Sequence, residues 1–533
     1  MALTLATATE LLKRHHLLRE IVQGDIWTMD ASRIPHSDRS FDSVTYDTRQ
    51  VAPGSLLFCK GRFKAEYLEG IDDRGLAAYV AQTDYSAVTA VPGLVVNDVR
   101  KAMSLLSSEF YGRPQDELTV VGITGTKGKT TTTYFTQAVL NAASHGKAAL
   151  FSSVDNCLDG RTYEESDLTT PESMDAFRMM RTAVDNGMRY LVMEVSSQAY
   201  KVDRVYGLTF DVGAFLNFSP DHISEIEHPT FEDYFYCKRQ IVANSRAVVL
   251  GEEIDHADIV VEDAATAGVP VSRFVLGDAT DADHAAVIAL PVDESHGTYR
   301  MASRDTEGAV TDLGEYHLAL DGDFNYRNAA AAVAISLAAG VGADDAAALH
   351  AMEPVRVAGR MEQFHDTQSN TLAIVDYAHN HASVTALLDF VEDRFADRDP
   401  RITLVTGSAG NKAYDRRQEI VEAAQHRISN FVFTAEDTDT EPFIDICMEM
   451  KGYVTDPEVR STVIDDRPSA IANAVYDARA HADRFNVLLL IGKGDERWIK
   501  DHHKHVPFEG DDRVIQRLFG LADGDADSRA AEL

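Results

Sequence analysis

Residues 118–133 read LTVVGITGTKGKTTTT, and this stretch decides the fold. The run 118–124 is apolar and rich in β-branched residues, which predicts a buried parallel strand. From Lys129 onward, apolar residues recur at helical spacing until Gly146, which predicts a helix with a stop signal. A strand, a glycine loop and a helix in this order aim backbone N–H groups at one point, and such a point suits an anion.

The loop itself has the composition of a phosphate-binding loop. Lys129 would reach the outer phosphates of a nucleotide, and the hydroxyl of Thr130 would sit on a magnesium ion. The compact form is GTKGKT (125–130), with Ile123 where the usual motif has its first glycine. A plain glycine and lysine loop is the alternative, and the strand–loop–helix order favours a nucleoside triphosphate site.

Composition bounds the class of protein. The chain has 533 residues, 45% of them hydrophobic and 25% charged, which is ordinary for several globular domains. A net charge of −35 disfavours non-specific binding to nucleic acid or to an anionic membrane. No apolar run is long enough for a membrane span, and the N-terminus lacks the pattern of a signal peptide. The four cysteines are far apart, so we expect reduced thiols and a cytoplasmic protein.

The order of elements predicts an α/β protein of three domains. Residues 1–113 alternate short strands and turns and predict a small α/β domain. Residues 114–356 hold the glycine loop and the strands YLVMEV, DVGAFLNF and AVVLG, which predict a mainly parallel sheet. Residues 357–533 hold TLAIVDYAH, ITLVTGSAG, FVFTAED and VLLLIGKGD, which predict a Rossmann-like domain with ligands at the carboxyl ends of its strands. The acidic stretch 252–320 reads as loops with peripheral strands.

Several polar residues stand where these elements begin or end. Glu194 ends the strand YLVMEV, where a carboxylate can hold magnesium near phosphates, although it could also be a surface acid. Lys238 lies on a predicted helix and would ordinarily be a solvated side chain. Asn325 and Asn328 lie where a helix begins, and helix capping explains them equally well. Arg360 in GRMEQF could clamp a phosphate or pair with an acid at a hinge.

Taken together, these segments closely resemble the Mur ligases of peptidoglycan synthesis. The resemblance covers nearly the whole chain and keeps the family order: GTKGKT, TTPES (169–173), MEVSS, NFSPDH, YCKRQ, FNYRN, GRMEQF and DYAH. Several such motifs in order are far more specific than one glycine loop. The closest subgroup adds the third residue of the stem peptide.

The resemblance implies ATP-dependent amide-bond formation with magnesium. ATP would phosphorylate the D-Glu carboxylate of UDP-N-acetylmuramoyl-L-Ala-D-Glu, and an amino acid amine would attack the acyl phosphate. The catalytic residues implied are Lys129, Glu194, His222 and Lys238, the last matching a family lysine that is carbamylated. The magnesium ligands implied are Thr130, Glu194, His222 and Lys238. The ATP contacts implied are Gly125, Thr126, Lys127, Gly128, Lys129, Thr130, Thr131, Asn328, Arg360, Asp376 and His379. The contacts to the UDP-muramoyl dipeptide implied are Tyr46, Thr48, Thr169, Thr170, Ser196 and Arg204, with residues near Arg62 and Lys64 at the UDP end.

The stretch EDTD (436–439) bears on which amino acid is added. Family members that use meso-diaminopimelate have DNPR here, and Asp439 replaces that arginine. Acids repel a distal carboxylate and attract a distal ammonium, which favours L-lysine, with L-ornithine one methylene shorter. An acidic surface loop in an acidic protein is the alternative. The expected amino-acid contacts are Lys412, Glu436, Asp437, Asp439, Asp495 and Glu496.

Three departures from the family pattern lie near the substrates. Gln198 replaces a histidine after EVSS, Lys412 replaces an arginine that would grip the α-carboxylate, and GKGHE becomes GKGDE (492–496). These departures keep open meso-diaminopimelate as substrate and a nucleotide-binding regulator without ligase activity. A related ligase of the folylpolyglutamate or cyanophycin type is a further alternative, and the stretches TYDTR and TTPES argue against it. The family also suggests a monomer with a mobile C-terminal domain.

Overall fold

The structure is a computed structural model that describes residues 2–219, 228–251, 254–277, 285–292 and 297–521. The chain divides into two compact units. The first comprises Met1–Ser219, Phe235–Arg273 and Ala331–Ala348, and the second comprises Pro220–Tyr234, Phe274–Ala330 and Leu349–Leu533. Among the described residues, no helix has the length and apolar character needed to cross a membrane. The four cysteines are free and buried.

The first unit begins with a six-stranded sheet in the order β2-β1-β6-β5-β4-β3. Its strands are β1 (Leu18–Gln23), β2 (Ile26–Thr28), β3 (Ser43–Thr45), β4 (Ser55–Phe58), β5 (Ala78–Ala81) and β6 (Gly93–Val96). The strands β3 to β6 run parallel, and helices α1 (Leu5–Arg14) and α2 (Val99–Phe110) bury their apolar residues in the same core.

The first unit also holds the sheet that carries the glycine loop, in the order β10-β9-β8-β11-β7-β12-β13-β14. Its strands are β7 (Thr119–Thr124), β8 (Ala148–Phe151), β9 (Asp155–Cys157), β10 (Tyr163–Glu165), β11 (Tyr190–Glu194), β12 (Phe210–Phe215), β13 (Ser245–Leu250) and the start of β14 (Val271–Leu276). The strands β8, β11, β7, β12, β13 and β14 are parallel. Their carboxyl ends therefore meet at one edge.

The helices along this part of the chain are α3 (Lys129–Ala143), α4 (Ser173–Asp185), α5 (Ser197–Lys201), α6 (Phe231–Ala243), α7 (Ala257–Ala267), α8 (Asp323–Ala338) and α9 (Ala346–Leu349). Helix α3 follows β7 directly, as the glycine loop predicts. Helix α7 and β14 lie in the stretch 252–320, which the sequence predicts as loops and strands. This helix is hard to recognise from the sequence, because acids interrupt its apolar residues and only Val260 and Ala264 are buried.

In the second unit, the end of β14 pairs in parallel with β15 (Val287–Pro291), and the antiparallel strands β16 (Tyr299–Arg304) and β17 (Val310–Tyr316) follow across the sheet. A further six-stranded sheet has the order β18-β19-β23-β20-β21-β22 and is parallel except for β18. Its strands are β18 (Glu362–Asp366), β19 (Thr371–Asp376), β20 (Arg401–Thr406), β21 (Asn430–Phe433), β22 (Arg460–Val463) and β23 (Asn486–Ile491).

The remaining elements of the second unit follow the Rossmann-like pattern. The helices are α10 (His381–Arg394), α11 (Asp415–Ala424), α12 (Phe443–Gly452), α13 (Arg467–Arg479) and α14 (Asp511–Phe519). A separate two-stranded hairpin is formed by β24 (Trp498–Asp501) and β25 (Lys504–Pro507). The α/β class with a parallel central sheet and a Rossmann-like C-terminal sheet is thus confirmed. The boundaries after residues 113 and 356 stay a prediction.

Candidate active site

In the glycine loop between β7 and α3, two lysine side chains donate hydrogen bonds to one carbonyl oxygen. The backbone of Gly128 has φ +77°, a left-handed conformation that suits glycine, and it turns the chain into helix α3. The Nζ of Lys129 donates to the carbonyl oxygen of Gly125 at 2.9 Å, and the Nζ of Lys238 donates to the same oxygen at 2.7 Å. Lys238 is 2% exposed. Two ammonium groups beside a helix N-terminus make this loop strongly attractive to an anion.

Asn217, which follows β12, holds the loop in place. Its Oδ1 accepts from the N–H of Lys127 at 2.9 Å, and its Nδ2 donates to the carbonyl oxygen of Lys127 at 3.0 Å. The N–H of Thr126 donates to the carbonyl oxygen of Asn217 at 3.2 Å. The loop is therefore braced by the neighbouring strand, as a rigid anion site requires.

Glu194 and Thr130 both meet Ser153, which follows β8. The Oε1 of Glu194 accepts from the backbone N–H of Ser153 at 2.8 Å and from its hydroxyl at 3.1 Å. The Oγ of Ser153 lies 3.0 Å from the Oγ1 of Thr130. Glu194 is 1% exposed. A buried carboxylate with two hydroxyl oxygens beside a phosphate loop fits magnesium, which prefers oxygen ligands. His222 lies outside the described residues.

The predicted dipeptide contacts Thr170, Ser196 and Arg204 come together near the end of β11. The Oγ1 of Thr170 accepts from the N–H of Ser196 at 3.0 Å and donates to the carbonyl oxygen of Glu194 at 2.9 Å. The guanidinium of Arg204 donates to the carbonyl oxygen of Thr170 at 3.2 Å. Thr169 is half-buried beside them.

Glu172, at the N-terminus of α4, is held between two cations. Its Oε2 lies 2.7 Å from the Nζ of Lys60, and its Oε1 accepts from the Nε of Arg204 at 3.0 Å. The three side chains are between 16% and 20% exposed. Burial alone would raise the pKa of Glu172, but the hydrogen bonds and charges of Lys60 and Arg204 outweigh burial and hold this pKa below its usual value.

Tyr46 is joined to this group through Lys60, whose Nζ lies 4.3 Å from the centre of the Tyr46 ring. The Tyr46 hydroxyl donates to Asp175 at 2.6 Å. Burial, together with the hydrogen bond to Asp175, raises the pKa of Tyr46. Thr48 is half-buried, and its carbonyl oxygen accepts from Arg74 at 2.8 Å.

In the second unit, the predicted ATP contacts Arg360, Asp376 and His379 lie around the end of β19. The guanidinium of Arg360 lies 4.7 Å from the centre of the Tyr377 ring. Asp376 accepts from the N–H of Met361 at 2.9 Å. Burial raises the pKa of Asp376, although the charge of Arg360 and the hydrogen bond from Met361 act to lower this pKa. His379 contacts the carbonyl oxygen of Tyr377 through Nδ1 at 2.7 Å.

Asn325 and Asn328 lie inside helix α8 and not before it. The Nδ2 of Asn325 donates to the carbonyl oxygen of Asp321 at 2.8 Å, and the Nδ2 of Asn328 lies 3.3 Å from the Oδ1 of Asn325. Both side chains are buried. The helix begins five residues earlier than the alanine run suggests, so the capping interpretation of these two residues is wrong.

The predicted amino-acid contacts surround one buried lysine at the ends of β21 and β23. The Nζ of Lys493 lies 2.9 Å from the Oδ1 of Asp437 and also pairs with Glu496. Lys493 is fully buried, and Glu496 further accepts from the hydroxyl of Tyr377 at 2.9 Å. Two carboxylates thus contact one ammonium group.

Glu436 and Asp495 add two more carboxyl groups with unusual titration. A side chain on Gly492 would collide with Glu436, so glycine leaves room for that carboxylate at the end of β23. Burial, followed by the charge of Asp437, raises the pKa of Glu436 to about 7. Burial raises the pKa of Asp495 to about 6. Such shifts are typical of groups gathered at binding sites.

Asp439 and Lys412 differ from the other predicted contacts. The Oδ2 of Asp439 lies 3.0 Å from the Nζ of Lys500, and this hydrogen bond holds the pKa of Asp439 below its usual value. Lys412 is exposed on the loop after β20. The loop contains left-handed residues at Asn411 and Ala413.

Comparison with known proteins now assigns the chain to a family. The family model for the Mur ligase middle domain matches residues 123–336, and the model for the Mur ligase glutamate ligase domain matches residues 359–494. A UDP-N-acetylmuramyl-tripeptide synthetase from Bifidobacterium longum is 72% identical over 522 residues, which cover 98% of this chain and all of the relative. The chain belongs to the Mur ligase family. Mur ligases are ATP-dependent enzymes that form amide bonds.

Other relatives of this Mur ligase agree in family and in fold. A UDP-N-acetylmuramoyl-L-alanyl-D-glutamate–L-lysine ligase from Enterococcus faecalis is 40% identical over 512 residues, which cover 96% of this chain and 98% of the relative. The solved structure of a UDP-N-acetylmuramoyl-L-alanyl-D-glutamate–2,6-diaminopimelate ligase superposes with a TM-score of 0.62. It is 19% identical and covers 98% of this chain and 99% of that chain, so it shows the shared fold.

Some residues of this Mur ligase take part in these clusters without having been predicted from sequence. Examples are Lys60, Ser153, Glu172 and Lys493. Glu172 and Lys493 stand inside motifs that the family resemblance uses, TTPES and GKGDE, so the signal was present. Lys60 and Glu172 are 112 residues apart, and no local spacing announces such a pair.

Proposed function

We propose that this Mur ligase adds L-lysine to UDP-N-acetylmuramoyl-L-Ala-D-Glu in peptidoglycan precursor synthesis, releasing ADP and phosphate. The observation that carries the choice of lysine is the excess of carboxyl groups around Lys493, at the end of the sheet where the amino acid is expected. A distal ammonium is attracted there and a distal carboxylate is repelled. The lysine-specific name of the Enterococcus faecalis relative supports the same choice.

ATP would bind with its phosphates at the glycine loop. Lys129, the N-terminus of α3 and the loop N–H groups offset the negative charge that accumulates when two anions are brought together. Magnesium, held by Thr130, Glu194, Lys238 and His222, would supply further positive charge there. The remaining proposed ATP contacts are Asn328, Arg360, Asp376 and His379.

Lys238 has a distinct proposed role. A buried ammonium that already contacts the Gly125 carbonyl cannot itself ligate a cation, because it has no acceptor. Carbamylation of its amine would replace the positive charge by an anionic group with two oxygen acceptors. Lys238 would then serve as a metal ligand beside Glu194.

The muramoyl dipeptide would be received by Thr170, Ser196 and Arg204, with Tyr46 and Thr48 toward the nucleotide end. The D-Glu carboxylate takes the phosphoryl group of ATP, and the α-amine of lysine then attacks the acyl phosphate carbon and expels phosphate. This path needs a dry, positively charged place for the reacting carboxylate, and Arg204 with Lys129 would provide that charge.

The deciding experiment measures phosphate release by the purified protein with ATP, magnesium and the UDP-muramoyl dipeptide. L-Lysine, L-ornithine and meso-diaminopimelate are offered separately. Release with lysine, and less with ornithine, is expected, since one methylene in a pocket is worth about 1–3 kcal/mol. Phosphate release with diaminopimelate and with neither other amino acid would support the ligase activity but contradict the proposal that the acids around Lys493 select a distal ammonium.

A second experiment separates this enzyme from a nucleotide-binding regulator. Lys238→Ala should abolish phosphate release and leave most ATP binding intact, because Lys129 and the loop remain. Unchanged release would sink the role given to Lys238. We further propose that the protein is a cytoplasmic monomer, which sedimentation of the purified chain would test.

A further inference from the structure

The hairpin β24–β25 is fastened to the loop that follows β21. The backbone N–H of Asp439 donates to the carbonyl oxygen of Lys500 at 2.9 Å, and the N–H of His502 donates to the carbonyl oxygen of Asp439 at 2.9 Å. Asp439 has φ +53°, a left-handed conformation that residues other than glycine seldom adopt. Asp439 and Asp501 thus form an isolated parallel β-bridge between the loop and the hairpin.

The carboxylate of Asp439 reinforces this attachment. Its Oδ1 accepts from the backbone N–H of His503 at 2.7 Å and lies 2.9 Å from the His503 Nδ1. Its Oδ2 pairs with the Nζ of Lys500 at 3.0 Å. Both oxygens are therefore engaged by groups of the chain itself, and the side chain is only 12% exposed.

The hairpin in turn touches Asp437, one of the acids proposed to receive the amino acid, and Lys493, which pairs with Asp437 and Glu496. The N–H of Lys500 donates to the Oδ1 of Asp437 at 3.0 Å, the same oxygen that Lys493 contacts. The Nζ of Lys493 lies 4.4 Å from the centre of the Trp498 ring, which stacks on His505. Movement of the hairpin would therefore remove one of the two donors from Asp437 and alter the surroundings of Lys493.

We infer that Asp439 is a positioning residue that latches the hairpin 498–507 and thereby sets the acids Asp437 and Glu496 for the ammonium of the incoming amino acid. The inference rests on the proposed function. It gives Asp439 an indirect part in selecting the substrate, because its charge is already satisfied by Lys500 and His503.

The chain has two tryptophans, Trp27 and Trp498, so Trp27→Phe leaves one reporter on the hairpin. In that background, Asp439→Ala should shift Trp498 emission to the red and increase its quenching by acrylamide. The KM for lysine should rise at least about tenfold, while the KM values for ATP and the dipeptide stay unchanged. Asp439→Asn, which keeps the acceptor and loses the charge, should do the same to a smaller extent.

Lys504→Ala is the matched control, because Lys504 is an exposed lysine of the same hairpin. It should change neither the fluorescence nor the KM. The charge exchange Asp439→Lys with Lys500→Glu should recover part of both signals. A raised KM for lysine with unchanged Trp498 fluorescence would mean that Asp439 touches the amino acid itself and would overturn the latch. An enzyme inactive with all three amino acids would instead defeat the proposed function.

Discussion

Glu172 in the first unit and Lys493 in the second are both charged side chains largely removed from water. Each is stabilised by two partners of the opposite charge. Glu172 is one carboxylate between two cations, Lys60 and Arg204. Lys493 is one cation between two carboxylates, Asp437 and Glu496. In each case the surplus charge belongs to the partners, and its sign is opposite to the charge of the proposed ligand.

The difference shows that the sign of the charge at each binding group is set by the residues of that group and not by the net charge of −35. The group around Glu172 is cationic and suits the anionic muramoyl dipeptide, whereas the group around Lys493 is acidic and suits a basic amino acid. Within each group the central residue lies between two partners of the opposite charge and reduces their mutual repulsion. The excess charge of the partners is therefore in place before the substrate binds.

The largest expected effect is on the buried member of the acidic group. Lys493→Met should lower the free energy of unfolding of the second unit by about 3 kcal/mol, because it leaves Asp437 and Glu496 without their common cation. Urea unfolding measures this loss. Lys504→Met is the matched exposed lysine and should change stability little. A loss below about 1 kcal/mol would show that Tyr377 and the Lys500 N–H suffice for these acids.

The elements around the glycine loop can be predicted from the sequence, whereas the long-range ion pairs cannot. The strands β7, β11 and β12 and helix α3 are predicted closely, because apolar periodicity and glycine positions are local signals. Helix α7 is missed, since only Val260 and Ala264 are buried and this short apolar side gives a weak periodic signal. The acids 436–439 are visible in sequence, but their partners Lys493 and Lys500 lie more than 50 residues away. Long-range pairing of this kind depends on the fold.

The second expected effect concerns the cationic group. Arg204→Ala should lower kcat/KM for the UDP-muramoyl dipeptide by about 30-fold, because a charged contact worth about 2 kcal/mol is lost. The KM for lysine should not change. Steady-state kinetics with each substrate varied in turn measure both. If the lysine KM rose as much as the dipeptide KM, the separation of the two polarities would be wrong.

The third effect is a pH dependence confined to the acidic group. Glu436 has a pKa of about 7 when folded, above its ordinary value of 4.5, so its protonated form stabilises the folded state. That stability is complete below pH 4.5 and is lost as the pH rises through 7. Glu436→Gln keeps a neutral group at every pH. Between pH 4.5 and 8, the free energy of unfolding of the wild type should therefore fall by about 1–3 kcal/mol relative to that of the variant. Parallel curves for the two proteins would contradict the assignment.

The smallest effect tests the edge of the cationic group. Tyr46→Phe removes the hydroxyl that donates to Asp175 and leaves the ring beneath Lys60. We expect a loss of about 1 kcal/mol in the free energy of unfolding, since Asp175 keeps its ion pair with Arg178. Thermal unfolding with and without the dipeptide would measure it, and a shift several times larger would give Tyr46 a structural role beyond one hydrogen bond.

The division of the chain into interleaved segments has a consequence for biosynthesis. The first unit includes Ala331–Ala348, which follows more than 50 residues that belong to the second. A ribosome must therefore deliver about two thirds of the polypeptide before the first unit has all its parts, and early folding proceeds with helix α8 missing. Fragments released after residue 273 and after residue 348 should differ sharply in amide exchange, with protection of strands β7, β11 and β12 completed only in the longer one.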